Sequence, residues 1–442
     1  MGTRRTTRRL LRLLPALTAA ALLWGPTRLP GQDDLRDVVT LTNGQEVRGR
    51  VYERFEADEV TLLQGNQRLR VPRSRVATID SLRERMREFF ARHDRLPDNA
   101  HHRWYLADWA QRHGLVALAQ LQAMDVVLHD PEHEPARALL GHRRRGKEWL
   151  WPRRDQWFTL ADHEAYCADW GHPLLLESEH FVVQTNGGLR RAIDTAFDLE
   201  RLYVWWFDTF GEALRLREVV SPKMPVQVWR SRREFPPWSS IVQPYFRPRV
   251  ENLEQSTSYT FFEDAAAGRA TRLFEVATQH LLYRTLAADP PFPTAKERLC
   301  AWAEVGLGQF VEHCFAGEPG RARAGPWRLP AHEGALVLGE HRYGLDILTH
   351  RQARQYFVTV ADDTPFDQAS AHLFVAYLLD PDRQPKLREG FLEFLFEALR
   401  TGKGESSSAL DKLIGRKVET LEQPWRAWIE AALQKNQPRS GG

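Results

Sequence analysis

The residues best placed to do chemistry lie in two neighbouring helical stretches. Arg272 to Thr285 reads Arg-Leu-Phe-Glu-Val-Ala-Thr-Gln-His-Leu-Leu-Tyr-Arg-Thr, and its apolar residues Leu273, Val276, Ala277 and Leu281 recur at helical spacing. Glu275 and Gln279 are four apart and share one helix face, where a carboxylate and an amide oxygen can both face a metal. The second stretch, Trp302 to Phe310, carries Glu304. A site of Glu275, His280 and Glu304 would be a noncanonical zinc centre for hydrolysis. It has a geometric difficulty, because one residue turns a helix by about 100° and so points His280 away from the face shared by Glu275 and Gln279. His280 is therefore read as a helix-surface or hydrogen-bonded core residue, and Glu304 as a solvated or capping carboxylate.

Taken together, these stretches resemble the peptidase MA-like gluzincins, in which a His-Glu-x-x-His helix is followed by a Trp-x-x-Glu-Gly helix. The resemblance runs from about Ser178 to Ala432. It takes in the opening strand His180-Phe-Val-Val, the late helix from Ala371 to Leu379 and the closing segment from Leu413 to Trp425. In such a site two His at i and i+4 bind zinc, the Glu between them takes a proton from the metal-bound water, and a carboxylate from the next helix is the third ligand. Aligned on Ala277-Thr278 and Leu281-Leu282, the first His position holds Glu275, the base position Val276 and the second His position Gln279. Val305 stands where the ligand Glu would be. Val276 cannot accept a proton and Val305 cannot ligate, so the resemblance implies a scaffold without its catalysis. The expectation is an exported, non-catalytic pseudo-metallopeptidase of the cell envelope that binds or scaffolds a protein or peptide partner. No catalytic residue, bound metal or cofactor is expected in it. The alternative is a hydrolase using Glu275, His280 and Glu304 with zinc.

The elements that must position these residues follow an α+β order. From residue 33 to 80 short alternating runs surround Asn43-Gly44 and Gly65-Asn66, both tight-turn dipeptides, which predicts a small five-stranded β-barrel or roll resembling Sm-like or SH3-like barrels. Residues 81–150 switch to helical spacing. Trp104, Leu106, Trp109 and Ala110 run up to Gly114, and Leu115, Leu118, Leu121 and Met124 run up to Asp130-Pro131, as in a single tetratricopeptide-type hairpin. Arg143 to Lys147 is read as a solvated basic loop. A gluzincin-like domain over 174–435 opens with one strand across Glu177–Thr185. A helix from Leu189 to about Leu214 follows, then a strand over Met224–Trp229 and a further strand near Ser258–Phe262, before a helical C-terminal lobe. Trp205, Trp206, Phe207 and Phe210 are spaced as one buried helix face.

Composition narrows the class further. The chain has 442 residues, 43% of them hydrophobic, and 15 Trp, which is too much apolar material for a disordered chain. Residues 1–32 carry Arg4, Arg5, Arg8, Arg9 and Arg12 ahead of an apolar run from Leu13 to Trp24, the pattern of a secretory leader and not of a spanning helix. That segment holds six Arg and no acid, so its removal turns the formal net charge from +3 to −3 and removes the electrostatic case for a nucleic-acid partner. The expected protein is periplasmic, cell-envelope or secreted, with no transmembrane anchor once the leader is gone. Cys167, Cys300 and Cys314 lack metal-ligand spacing, leaving one disulfide through Cys167 or three buried thiols. Asp362-Asp363 and Asp380-Pro-Asp382 read as turn acids, and the glycines from Gly317 to Gly325 follow no strand that would make them a phosphate cradle.

Overall fold

A computed structural model describes residues 37–65, 67–153, 156–235, 243–249, 252–263, 268–287, 301–340, 342–350, 364–401 and 407–436. The N-terminal segment expected to be a leader, Cys300 and the Asp362-Asp363 pair lie outside them. The fold is mixed α+β with a helical C-terminal region.

The first unit is a five-stranded antiparallel sheet. Its strands are β1 (Asp37–Leu41), β2 (Glu46–Glu53), β3 (Glu59–Gln64), β4 (Gln67–Pro72) and β5 (Val76–Asp80), in the order β4-β3-β2-β1-β5. Gly44 and Gly65 sit at φ 83° and 60°, the left-handed region that both tight turns require. Irregularities at Thr40/Leu41 and between Val51 and Glu53 bend the sheet. Among the described residues no ladder joins β4 to β5. Its interior is small and its own: Val39, Leu41, Val51, Val60, Leu62 and Val71.

Four helices follow: α1 (Leu82–His93), α2 (Ala100–Arg112), α3 (Val116–His129) and α4 (Glu134–Leu139). Gly114 at φ 75° closes the α2–α3 turn as its position predicts. Helix α4 begins at Glu134, where His133 caps it by accepting from the Ala136 N–H. The basic run is not a loop. Arg143–Arg145 (β6) pairs with Glu148–Arg153 (β7), and β7 pairs with Gln156–Phe158 (β8). Gly146 at φ 65° supplies the two-residue turn that the charge pattern obscured. Helix α5 (Leu160–Cys167) then packs Cys167 into the interior as a free thiol, and Cys314 is likewise buried and free.

The central sheet has the order β12-β13-β11-β10-β9. Its strands are β9 (Leu174–Glu177), β10 (Phe181–Thr185), β11 (Met224–Trp229), β12 (Tyr245–Arg247) and β13 (Thr257–Phe261). Strands β10, β11 and β13 are parallel, while both edges run antiparallel. The opening strand expected across Glu177–Thr185 is thus a hairpin. Its turn is fixed by Glu200, which accepts from Ser178 Oγ at 2.6 Å, from the His180 N–H at 2.5 Å and from His180 Nδ1 at 2.8 Å. Glu200 belongs to α6 (Leu189–Phe210), whose Trp206, Phe207 and Phe210 are buried as their spacing implies, with Trp205 half-buried.

The helical lobe comprises α7 (Leu273–Leu286), α8 (Ala301–Cys314), α9 (Ala331–Gly339), α10 (Leu345–His350), α11 (Thr364–Leu379), α12 (Pro385–Phe396), α13 (Ser407–Ile414) and α14 (Glu422–Asn436). Between α8 and α9 the glycine-containing segment makes a short ladder, β14 (Phe315–Ala316) with β15 (Arg323–Ala324). One continuous core runs from Leu82 in α1 through α6, α7, α8 and α11 to Ile429 in α14. The helical hairpin is therefore built into the body of the protein, while the roll keeps a separate interior. No helix among the described residues is long and apolar enough to cross a membrane.

Candidate functional site

Helix α7 starts without a side chain of its own to cap it. Arg272 stands before it in the left-handed region, φ 52°, and offers no cap. The free N–H groups of Phe274 and Glu275 instead donate to Glu312 Oε2 of α8, at 2.8 and 3.0 Å. A carboxylate at a helix N-terminus satisfies orphan donors and complements the helix dipole, so α8 supplies the cap α7 lacks. On α8, Glu304, Gly308 and Glu312 recur every four residues and form one stripe facing α7. Gly308 is the point of closest approach. A Cβ there would lie 2.9 Å from Glu275 Cγ, 3.1 Å from the Glu275 carbonyl oxygen and 3.4 Å from Gln279 Nε2.

This contact holds the positions that the resemblance to gluzincins would make metal-binding. Glu275, Val276, Gln279 and Val305 are all buried. Arg272 Nε is ion-paired with Glu275 Oε2. The same guanidinium donates to Gln243 Oε1 at 3.1 Å, and a suitably oriented Gln309 amide accepts from it. A fixed protein cation thus occupies the carboxylate of the first-ligand position and ties it to α8 and to the segment before β12. Burial pushes the Glu275 carboxyl up to about 7, with Arg272 opposing and Glu312 adding to the rise.

The alternative trio does not converge. His280 points to the central sheet, with Nδ1 3.3 Å from Ser258 Oγ and its ring 4.8 Å from that of Phe246. It is a core histidine, and burial followed by the Arg284 charge holds it well below its ordinary range. Glu304 is neither solvated nor capping as its sequence position suggested. It is buried and accepts from the Tyr283 hydroxyl, because the stripe that carries it is pressed against α7. Glu275 is engaged by Arg272, a third direction.

A different set is drawn together on the opposite flank of α8. Ligand atoms of His313 (α8), Glu333 (α9) and His372 (α11) all lie within 4.8 Å of one another, the one such group of three or more among the described residues. His372 Nδ1 is 2.6 Å from Glu333 Oε2, while Trp327 Nε1 donates to His372 Nε2 at 3.0 Å. The Trp327 donor requires a lone pair on Nε2, so the His372 proton sits on Nδ1 and is given to Glu333. His313 Nδ1 is 2.9 Å from the Gln309 carbonyl, which can only accept, so His313 donates there and keeps its Nε2 lone pair. Sequence reading missed this group: positions 313, 333 and 372 sit on three separate helices and share no local spacing.

Two other constellations are structural. Ser178, His180 and Glu200 are each at most 2% exposed, and His180 lies flat on Tyr203 with ring centres 3.6 Å apart. Asp380 accepts from the Asp382 N–H at 2.9 Å and from Trp428 Nε1 at 2.7 Å, a turn acid that also anchors α14. A surface recess bordered by Ala213, Asp380, Arg383 and Glu389 contains no histidine or cysteine. No protein-family model matches the chain, and no curated protein matches it in sequence.

Proposed function

We propose that this chain is an exported, non-catalytic relative of the gluzincin zinc peptidases that binds or scaffolds a protein or peptide partner of the cell envelope. The observation that carries the reading is the contact of α7 with α8. Glu275 is held by Arg272, Gly308 lies against Glu275 and Gln279, and Val276 and Val305 stand where a base and a carboxylate ligand would be needed. No proton acceptor remains at the base position, and zinc hydrolysis of the gluzincin kind requires one. The divergent directions of Glu275, His280 and Glu304 count against the hydrolase alternative.

The deciding assay is peptide hydrolysis by the zinc-equilibrated protein, using casein and a fluorogenic peptide mixture beside the Glu275→Gln variant. Neither protein should release product above the buffer blank. Turnover by the parent protein would overturn the reading, and its loss in Glu275→Gln would locate the activity on α7.

A further inference from the structure

We infer that His313, His332 and Glu333 form a binding site for a zinc-class divalent metal ion, with His372 orienting the carboxylate from behind. The site lies on the α11-facing flank of α8 and is independent of the α7 contact on which the proposed function rests.

Glu333 is the centre of the arrangement. Its Oε1 lies 3.9 Å from His313 Nε2 and also 3.9 Å from His332 Nε2, while Oε2 is taken by His372. Two nitrogens and one carboxylate oxygen therefore approach the same oxygen-centred corner. Tetrahedral zinc with bonds of 2.0–2.1 Å places neighbouring ligand atoms about 3.3 Å apart, so each carboxylate contact closes by about half an ångström, while the His313 and His332 nitrogens, which do not lie within 4.8 Å of each other, must approach by roughly 1.5 Å or more through rotation of His332. His332 has an 81% exposed side chain, and its ring can rotate without moving the backbone.

His372 is the fourth group nearby but a poor ligand. Its Nε2 receives the Trp327 N–H and its Nδ1 carries the proton given to Glu333. A metal on Nδ1 would force a proton onto Nε2, directly against the Trp327 donor. Left as it is, His372 does what supporting groups do around metal centres: it fixes a ligating carboxylate in rotation and leaves the other oxygen available. The His313 Nδ1 bond to the Gln309 carbonyl plays the same part for the first imidazole, presenting Nε2 to the site.

Carboxylate and imidazole together are a borderline donor set suited to zinc and neighbouring first-row ions, and three protein ligands leave one position open on the exposed His332 side.

The test uses the full chain, purified without a histidine tag, stripped with chelator and titrated with Zn²⁺ by calorimetry and with Co²⁺ by visible absorption. One equivalent of Zn²⁺ should bind, and Co²⁺ should give the intense visible bands of four-coordination. His313→Ala and His332→Ala should each weaken binding at least tenfold, and His372→Gln about tenfold to a hundredfold, the range for supporting groups. Thermal unfolding of His332→Ala guards against misfolding, since that ring is on the surface. Absence of stoichiometric binding would overturn the site, as would binding unaffected by both His313→Ala and His332→Ala. Binding lost only in Glu275→Gln would place the ion on α7 and overturn both this site and the proposed function, whereas turnover with the present site intact would overturn the function alone.

Discussion

Helix α8 has two working flanks, and they treat charge in opposite ways. Toward α7 the stripe Glu304, Gly308, Glu312 is pressed so tightly that its carboxylates are consumed by internal partners: Tyr283 for Glu304 and the α7 N-terminus for Glu312. Toward α11, Gly306 makes the backbone approach, and at the solvent end His313 keeps an uncommitted nitrogen beside a carboxylate. The difference is one of supply. Where a protein cation is already present, as Arg272 is for Glu275, the polar group is satisfied from within and packing can close. Where lone pairs outnumber protein donors, a site for an external cation remains.

The comparison can be broken at four points, the first by far the most damaging. Gly306→Ala should cost about 3 kcal/mol or more, because its Cβ would fall 2.4 Å from the Ala371 carbonyl oxygen and 2.6 Å from Val375 Cγ2. Gly308→Ala meets mostly a movable Glu275 side chain and should cost about 1–3 kcal/mol by denaturant melt. The reverse ranking would mean that the α7 side is the more rigid of the two.

Protonation of Glu275 offers a second handle. Folding raises its pKa from 4.5 to about 7, so the stability it contributes is complete below pH 4.5 and is lost as pH rises through 7. That loss is on the order of 3 kcal/mol across the window. Glu275→Gln should therefore flatten the fall in Tm between pH 4.5 and pH 8; an unchanged pH profile would show that Arg272 compensates the charge fully.

On the other flank, Glu333→Gln replaces the acceptor of a charge-assisted bond from a fully buried imidazole and should cost about 1–3 kcal/mol in metal-free protein, read by chemical denaturation. His332→Ala marks the small end of the scale. Its ring is exposed, so metal-free stability should change by no more than about 0.5 kcal/mol, with the effect confined to zinc affinity.

Local signals carried most of the architecture. Turn glycines at 44, 65 and 114, period-two runs in the roll and the apolar spacing of α6 and α7 each act within a few residues, and the structure places the corresponding elements within a residue or two in most cases. The misreadings have specific causes. Three consecutive arginines disguised a strand, because pairing with Glu148–Leu150 uses the backbone and leaves the charges exposed. Glu177–Thr185 looked like one strand because the turn at Ser178–His180 is held by Glu200, 20 to 22 residues away in sequence. The same non-locality hid the histidine cluster. His313, His332, Glu333 and His372 become neighbours only when α9 and α11 pack against α8, and the adjacent pair His332-Glu333 was the one short-range hint. Helix α7 was legible through its apolar spacing; that an arginine at the helix start would claim Glu275 was not, since Arg272 reaches Glu275 from a left-handed backbone that no side-chain pattern announces.

The separate interior of the roll has a mechanical consequence. Six side chains form its core, and its attachment to the body is largely polar and charged, through contacts such as Glu53–Arg217, Arg54–Glu84, Arg85 with Asp37 and Asp80, Arg400–Glu56, Tyr52 O with the Glu218 N–H and Leu82 N–H with Asp37, with Phe55 packed on Gly211 and Phe207. Under a pulling force or a brief exposure to protease, residues 37–80 should yield first and as one piece, leaving the remainder folded. A cut after Leu140 would instead strip α1 to α4 from the shared core and bring the rest down with them.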